Sequence, residues 1–174
     1  MALREILTEP NKILRERSLP VDKVDKDLQK TMDDMLETMY AAPGIGLAAI
    51  QIGIPKRIIV LDLARKDEPK NPMFFINPEI IKKSETNSTY EEGCLSVPGQ
   101  FAEIDRPDQC HIKYLDYDGN KKEMKAEGML ATCIQHEMDH LEGILFIDYL
   151  SKLKKTMIIK KLSKQKKALE RIVV

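Results

Sequence analysis

The chain has 174 residues, 43% of them hydrophobic, with 28 basic side chains balanced by 28 acidic ones. That suits one globular domain with its own core. It excludes a bilayer-spanning helix, because no apolar run approaches the ~20 residues required. It also argues against a disulfide scaffold, because three cysteines in no scaffold spacing fit a reduced, cytoplasmic protein. The opening MALREILTEP is too charged for a secretory signal. The balanced charge is unevenly spread. Residues 151–174 hold nine Lys or Arg against one acid, Glu170, so this segment carries +8 and residues 1–150 carry −8. An acidic body with a basic tail suggests an anionic partner for the tail.

In chain order, residues 25–42 predict a helix. Asp25 is the N-cap, Leu28, Met32, Met35, Leu36 and Met39 follow helical spacing, and Pro43-Gly44 end it. GIGLAAIQIG (44–53) is apolar and punctuated by glycine. RIIVLDL (57–63) reads as a buried strand, and MFFINPEII (73–81) as another, broken near Asn77-Pro78. STYEEGCLSV (88–97) predicts a strand followed by a turn. QCHIKYLDY (109–117) alternates, and Asp118-Gly119 marks a hairpin into the next strand. A helix over 129–142 stops at Gly143, and a last helix covers about 151–170. Strands in the middle and helices at the ends argue for an α+β fold rather than alternating βαβ units. On the last helix, Leu153, Met157 and, less closely, Leu162 and Leu169 are expected to form the stripe that packs on the body.

The helix over 129–142 carries IQHEMDHLEG (134–143), with two of the chain's three histidines four residues apart. Positions i and i+4 share a helix face, so His136 and His140 can aim at one point. Glu137 projects about 100° away from His136, within reach of a water bound between the histidines. This H-E-x-x-H pattern supplies two imidazole ligands and a general base for metal-assisted hydrolysis. Leu130, Ile134 and Leu141 make the opposite face apolar as well, so the helix is expected to be buried on both sides. Burying histidines and a carboxylate is costly unless something such as a metal compensates.

A catalytic site of this kind needs a third protein ligand and one open position. Cys133 lies on the histidine face, but its short side chain points away from the ligand point, so it reads as pocket wall. Cys110 reads as a core thiol, and His111 on the other face of its strand as surface. Cys94 follows Gly93 in EEGCLS, where a turn can offer a thiolate. A cysteine in a turn is more often structural, and the H-E-x-x-H helix shifts the balance towards a ligand. Gly44 and Gly46 have no side chains and would let an extended peptide pair with this edge, although a plain glycine turn after Pro43 has the same sequence. Ile45, Met129 and Cys133, with the face of His136, are candidates for an apolar slot, and Tyr90 joins them by strand alternation.

GIGLAAIQ (44–51), EGCLS (92–96) and QHEMDH (135–140), in this order and at these spacings, resemble the three motifs of the peptide deformylases, in the bacterial form with a C-terminal helix. The resemblance implies antiparallel sheets around the motif-bearing helix. It implies a catalytic domain over 1–150, with the basic helix of 151–174 packed on it. The implied activity is removal of the formyl group from N-terminal formyl-methionine of nascent polypeptides, releasing formate. The resemblance further implies Cys94, His136 and His140 as metal ligands and Glu137 as acid/base. Gln51 and the Leu95 N–H would bind the oxyanion, Fe²⁺ would be the native metal, and Zn²⁺, Ni²⁺ or Co²⁺ could replace it. Gly93 belongs to the implied substrate edge, and the tail would dock on the ribosome. Phe101 stands where many bacterial members carry a basic residue. The sequence is also compatible with two other readings. One is a zinc peptidase of the H-E-x-x-H type, which would use a Glu or His in place of Cys94. The other is an RNA-binding module, which the tail favours and the lack of aromatic–basic interleaving disfavours.

Overall fold

The computed structural model describes residues 2–173, with side chains through Leu169. The side chains of Glu170 and Arg171, counted above in the tail's charge, lie outside what is described, as does residue 174. Helix α1 spans Lys26–Ala41, opened by Asp25, whose carboxylate accepts the Leu28 N–H at 2.9 Å. Seven strands follow: β1 Gly46–Ala48, β2 Ile58–Leu61, β3 Met73–Lys83, β4 Asn87–Cys94, β5 Val97–Pro107, β6 Gln109–Leu115 and β7 Lys121–Glu127. Helix α2 spans Gly128–Leu141 and α3 spans Lys152–Val173. Five strands form one antiparallel sheet in the order β1-β2-β3-β6-β7, and β4 and β5 form a separate hairpin. The α+β expectation holds, and α2 lies between the two sheets.

All four residues of β2 are buried because both faces of the large sheet are covered. Ile58 and Val60 pack with Met32, Met35 and Met39 of α1. Ile59 and Leu61 point the other way, onto Ala131 and Ile134 of α2. The two-residue side-chain period of a strand thus sends alternate residues into two different clusters. A third cluster joins Val97 and Ile104 of β5 to Leu145, Phe146, Ile147 and Leu162.

Three expectations are corrected. First, β3 is not broken at Asn77-Pro78. It runs through that point with a register shift between Ile76 and Glu79, and Asn77 takes φ 50°. The Asn77 side chain accepts the Val21 N–H and donates to the Val21 carbonyl, both at 2.8 Å, which anchors the bulge. Second, β5 was missed, because Pro98-Gly99 and scattered charges obscure its alternation; it pairs with β4 from Asn87↔Pro107 to Gly93↔Phe101. Third, the packing stripe on α3 was misphased. Leu162 is buried with Ile158 and Ile159 packed beside it, whereas Leu153 and Met157 are exposed. At 100° per residue, Leu153 and Met157 fall on the side opposite Leu162. Leu169 is near the Leu162 azimuth but is 65% exposed, because the helix has by then run past the body. The predicted stop at Gly143 is present at φ 74°, and the Arg15 carbonyl occupies the space a side chain there would need.

Candidate metal centre and cleft

His136 and His140 come from one face of α2, and Cys94 from the last residue of β4, where the register shifts after Gly93 and Cys94 pairs with Val97. Their ligand atoms all lie within 4.8 Å of one another. Cys94 Sγ is 3.4 Å from His140 Nε2, and the two imidazole centroids are 5.2 Å apart. His136 is oriented by its other nitrogen. Nδ1–H donates to Glu92 Oε1 at 2.8 Å, which turns Nε2 towards the cluster. Glu92 is itself held by Arg106, whose Nε and Nη2 donate to its two oxygens at 2.7 and 3.0 Å. Arg106 Nη1 donates to Asp139 at 2.9 Å, and Tyr149 caps Asp139 at 2.7 Å. Burial alone would raise the Glu92 carboxyl, but the bonds from His136 and Arg106 hold it below its ordinary value. It therefore stays ionised and accepts.

Glu137 is buried beside this group, with Oε1 4.0 Å from His136 Nε2 and Oε2 without a hydrogen-bond partner. Burial pushes its carboxyl up to about 7. His140 Nδ1 is likewise buried without a partner, and burial followed by the charge of His136 keeps the His140 imidazole well below its ordinary pKa, hence neutral. One soft sulfur and two imidazole nitrogens, beside a carboxylate oxygen with an unused lone pair, suit a divalent transition metal. Cys133 stays out of the group. Burial, then Glu137, pushes its thiol up to about 12, so it is an uncharged wall.

A cleft of about 490 Å³ opens over the group. Gly44, Ile45, Gly46, Gln51, Tyr90, Gly93, Cys94, Leu95, Met129, Cys133, His136 and Glu137 all line it, and His140 lies beneath them. The Gln51 side chain is fixed at both ends. Its Oε1 accepts the Ala48 N–H at 2.9 Å, and its Nε2 donates to Ser96 Oγ at 3.0 Å and faces Cys94 Sγ at 3.5 Å. The glycines serve a purpose that sequence reasoning did not assign. A Cβ on Gly46 would lie 2.6 Å from Glu137 Oε1, and one on Gly44 would lie 2.6 Å from the Leu95 side chain. Their bareness thus makes room for protein groups of the site, and β1 lies at the edge of the five-stranded sheet.

Glu92, Arg106, Asp139 and Ser96 were missed. The signal for Glu92 was present, since a ligating histidine needs an acceptor for its second nitrogen and EEGCLS offers one two residues before Cys94. Arg106 carried no local signal, because β5 itself was not recognised.

The polypeptide deformylase family model matches residues 3–156. The chain belongs to this family. It is 66% identical over 174 residues to a peptide deformylase of Pelagibacter ubique, covering 100% of both chains. It is 63% identical over 171 residues to one from Maricaulis maris, covering 98% of each. Among solved structures, the peptide deformylase of Ehrlichia chaffeensis superposes with a TM-score of 0.92 at 43% identity, over 96% of this chain and 98% of that one. A complex of the Ehrlichia chaffeensis enzyme with actinonin gives 0.91 at 46% identity, over 95% and 98%. The chain is thus a metallo-amidase that removes the N-formyl group from formyl-methionyl nascent peptides and releases formate. Among the described residues, no helix is long and apolar enough to cross a membrane.

Proposed function

We propose that Cys94, His136 and His140 hold Fe²⁺ in the cell, with Zn²⁺, Ni²⁺ or Co²⁺ able to take its place, and that Glu137 is the acid/base. The observation that carries this is the set of three donor atoms within 4.8 Å of one another beside the partnerless Glu137 Oε2. A metal held there supplies Lewis acidity, polarising a carbonyl and making water nucleophilic at neutral pH. Glu137 takes the proton of the attacking water and returns it to the leaving amine nitrogen. Gln51 Nε2, aimed by Ala48 and Ser96, and the Leu95 N–H donate to the formyl oxygen as it gains charge; one such donor contributes about 3–4 kcal/mol. Gly44, Ile45, Gly46 and Gly93 border the extended peptide, and Met129, Cys133 and Tyr90 flank the methionine side chain.

Residues 1–150 form the catalytic unit in this reading, and the basic segment 151–174 docks on ribosomal RNA through its lysines in the cytoplasm. The exposed run from Lys164 to Leu169, with Lys164, Lys166 and Lys167, supports the docking role. The test of the centre is metal analysis after anaerobic purification, coupled to turnover of formyl-methionyl and unformylated peptides. One equivalent of iron, with activity on the formylated peptide alone, is expected. Full activity in protein stripped of all metal would overturn the assignment.

A further inference from the structure

Residues 2–8 belong to no helix or strand, yet the end of this segment is tied to the cleft. The Leu7 N–H donates to the Gln51 carbonyl at 2.7 Å, and the Glu9 N–H donates to the Ser96 carbonyl at 2.8 Å. Gln51 and Ser96 are the pair whose side chains meet at 3.0 Å, with Gln51 Nε2 as donor. Gln51 lies in the turn Ala49–Ile52, which follows β1 of the five-stranded sheet, and Ser96 lies in the turn between β4 and β5 of the hairpin. Among the described residues, no strand ladder joins these two sheets. The segment 7–9 therefore bridges the two walls of the cleft, and its two bonds close a loop with the Gln51–Ser96 bond. The bridge has a fixed foot. Glu9 is 5% exposed, and its carboxylate meets Arg15 Nη2 at 2.9 Å, while Arg15 Nη1 donates to Asp148 at 2.6 Å.

We propose that Leu7 and Glu9 are positioning residues for the side-chain amide of Gln51. This rests on the reading of Gln51 as an oxyanion donor given above. Such a donor helps most when it already stands where charge develops, so that nothing must reorganise during the reaction. Gln51 Nε2 is aimed by Ala48 on one wall and Ser96 on the other. The Leu7 and Glu9 N–H groups hold the backbones of Gln51 and Ser96 relative to each other. Releasing either one lets the walls part and Nε2 drift. A misplacement of about 1 Å can cost about 10²-fold in rate. Neither Leu7 nor Glu9 is among the residues lining the cleft, so the loss falls on the transition state and leaves peptide binding largely intact.

The test measures kcat and KM on a formyl-methionyl peptide, per metal-loaded site. Leu7→Pro removes the donor N–H, and Glu9→Ala removes the anchor on Arg15; each is made alone and together with Gln51→Ala. Each single variant is expected to keep its metal and lose about tenfold to a hundredfold in kcat, with KM changed far less. In the Gln51→Ala background the same changes should cost no more than about threefold, because the group they aim is gone. Glu9→Gln keeps the shape and an acceptor for Arg15, and should restore most of the loss. Glu9→Ala carries the comparison if the proline prevents folding. A role in stability alone would lower the thermal midpoint and leave kcat per loaded site unchanged. That result, or the same fold-loss with and without Gln51, would overturn the positioning role alone. A kcat untouched by Gln51→Ala itself would overturn the oxyanion reading, and the positioning role with it.

Discussion

Glu137 Oε2 has no hydrogen-bond partner although it is shut away from water, a costly state for a carboxylate unless a ligand or a proton meets it. In the proposed mechanism Glu137 moves protons and does not hold the ion. Glu137→Ala should therefore keep the metal and lose about 10²–10⁴-fold in kcat. Loss of the metal in that variant, with activity rescued by added metal, would assign Glu137 to the ligand set instead. The thiols separate the same way. Cys94→Ser should strip or badly weaken metal binding, because a hydroxyl is a poor replacement for a soft thiolate, whereas Cys133→Ser should keep the metal and raise KM. Metal content by elemental analysis, read beside kinetics, decides between them. Much of this centre was visible in the chain itself. The four-residue step from His136 to His140 is a statement about helix geometry, and Glu137 follows from it. For Cys94 the EEGCLS turn only shifted the balance, because its approach depends on how residues 95–127, with three strands among them, fold between it and the helix.

At the scale of elements, α3 combines two segments with different surroundings. Up to Ser163 it packs on the body, with Leu162 at 4% exposure in the cluster that includes Val97 and, at its margin, Cys94. Beyond that point its described side chains are all exposed. Leu162→Ala should lower unfolding stability by about 2–5 kcal/mol, measured by denaturant titration. Truncation after Ser163 should leave stability and turnover of small formyl peptides nearly unchanged while sharply weakening ribosome co-sedimentation. Any such binding should fall steeply with salt, since each neutralised phosphate releases counterions. Co-sedimentation that survives truncation and ignores salt would leave the end of α3 as a solvated helix. The sequence showed that this helix exists. Its docking face was misread because apolar residues occur on both sides, and only the position of β5 and Phe146 selects between them.

Across the whole molecule and away from the cleft, buried carboxylates tie distant segments together. Asp34, 1% exposed, accepts from the Ala2 N–H at 2.7 Å and from Arg4, which fastens the N-terminal segment to α1. Those contacts hold its carboxyl below the ordinary value, the Ala2 N–H first among them. Asp62 and Asp148 are also lowered. Burial acts against this, but the bonds from Tyr40, Ala64 and Asn71 to Asp62, and from Arg15 and Lys155 to Asp148, outweigh it. A carboxyl whose folded pKa lies below its unfolded one stabilises the fold above the unfolded value of about 3.9. That stabilisation disappears as pH falls through the folded value. Glu9 works in the opposite sense, because burial raises it despite Arg15. Stability measured by denaturant titration should therefore lose the contribution of these lowered carboxyls below about pH 4, and Asp34→Asn should be less stable at pH 7 with a shallower acid loss. An unchanged acid slope in that variant would remove Asp34 from the account. The periodicities settled by sequence alone are local ones: the Met stripe of α1, the histidine pair of α2 and the Asp-Gly hairpin before β7, each fixed by residues within a few positions of one another. Tertiary structure decided the rest. It carried β3 through Asn77 because Val21 binds that side chain, and it revealed β5 by pairing it with β4. It also seated Arg106 on Glu92 and Phe101 on Gly93, because such contacts depend on which strands become neighbours, and short-range spacing does not encode that.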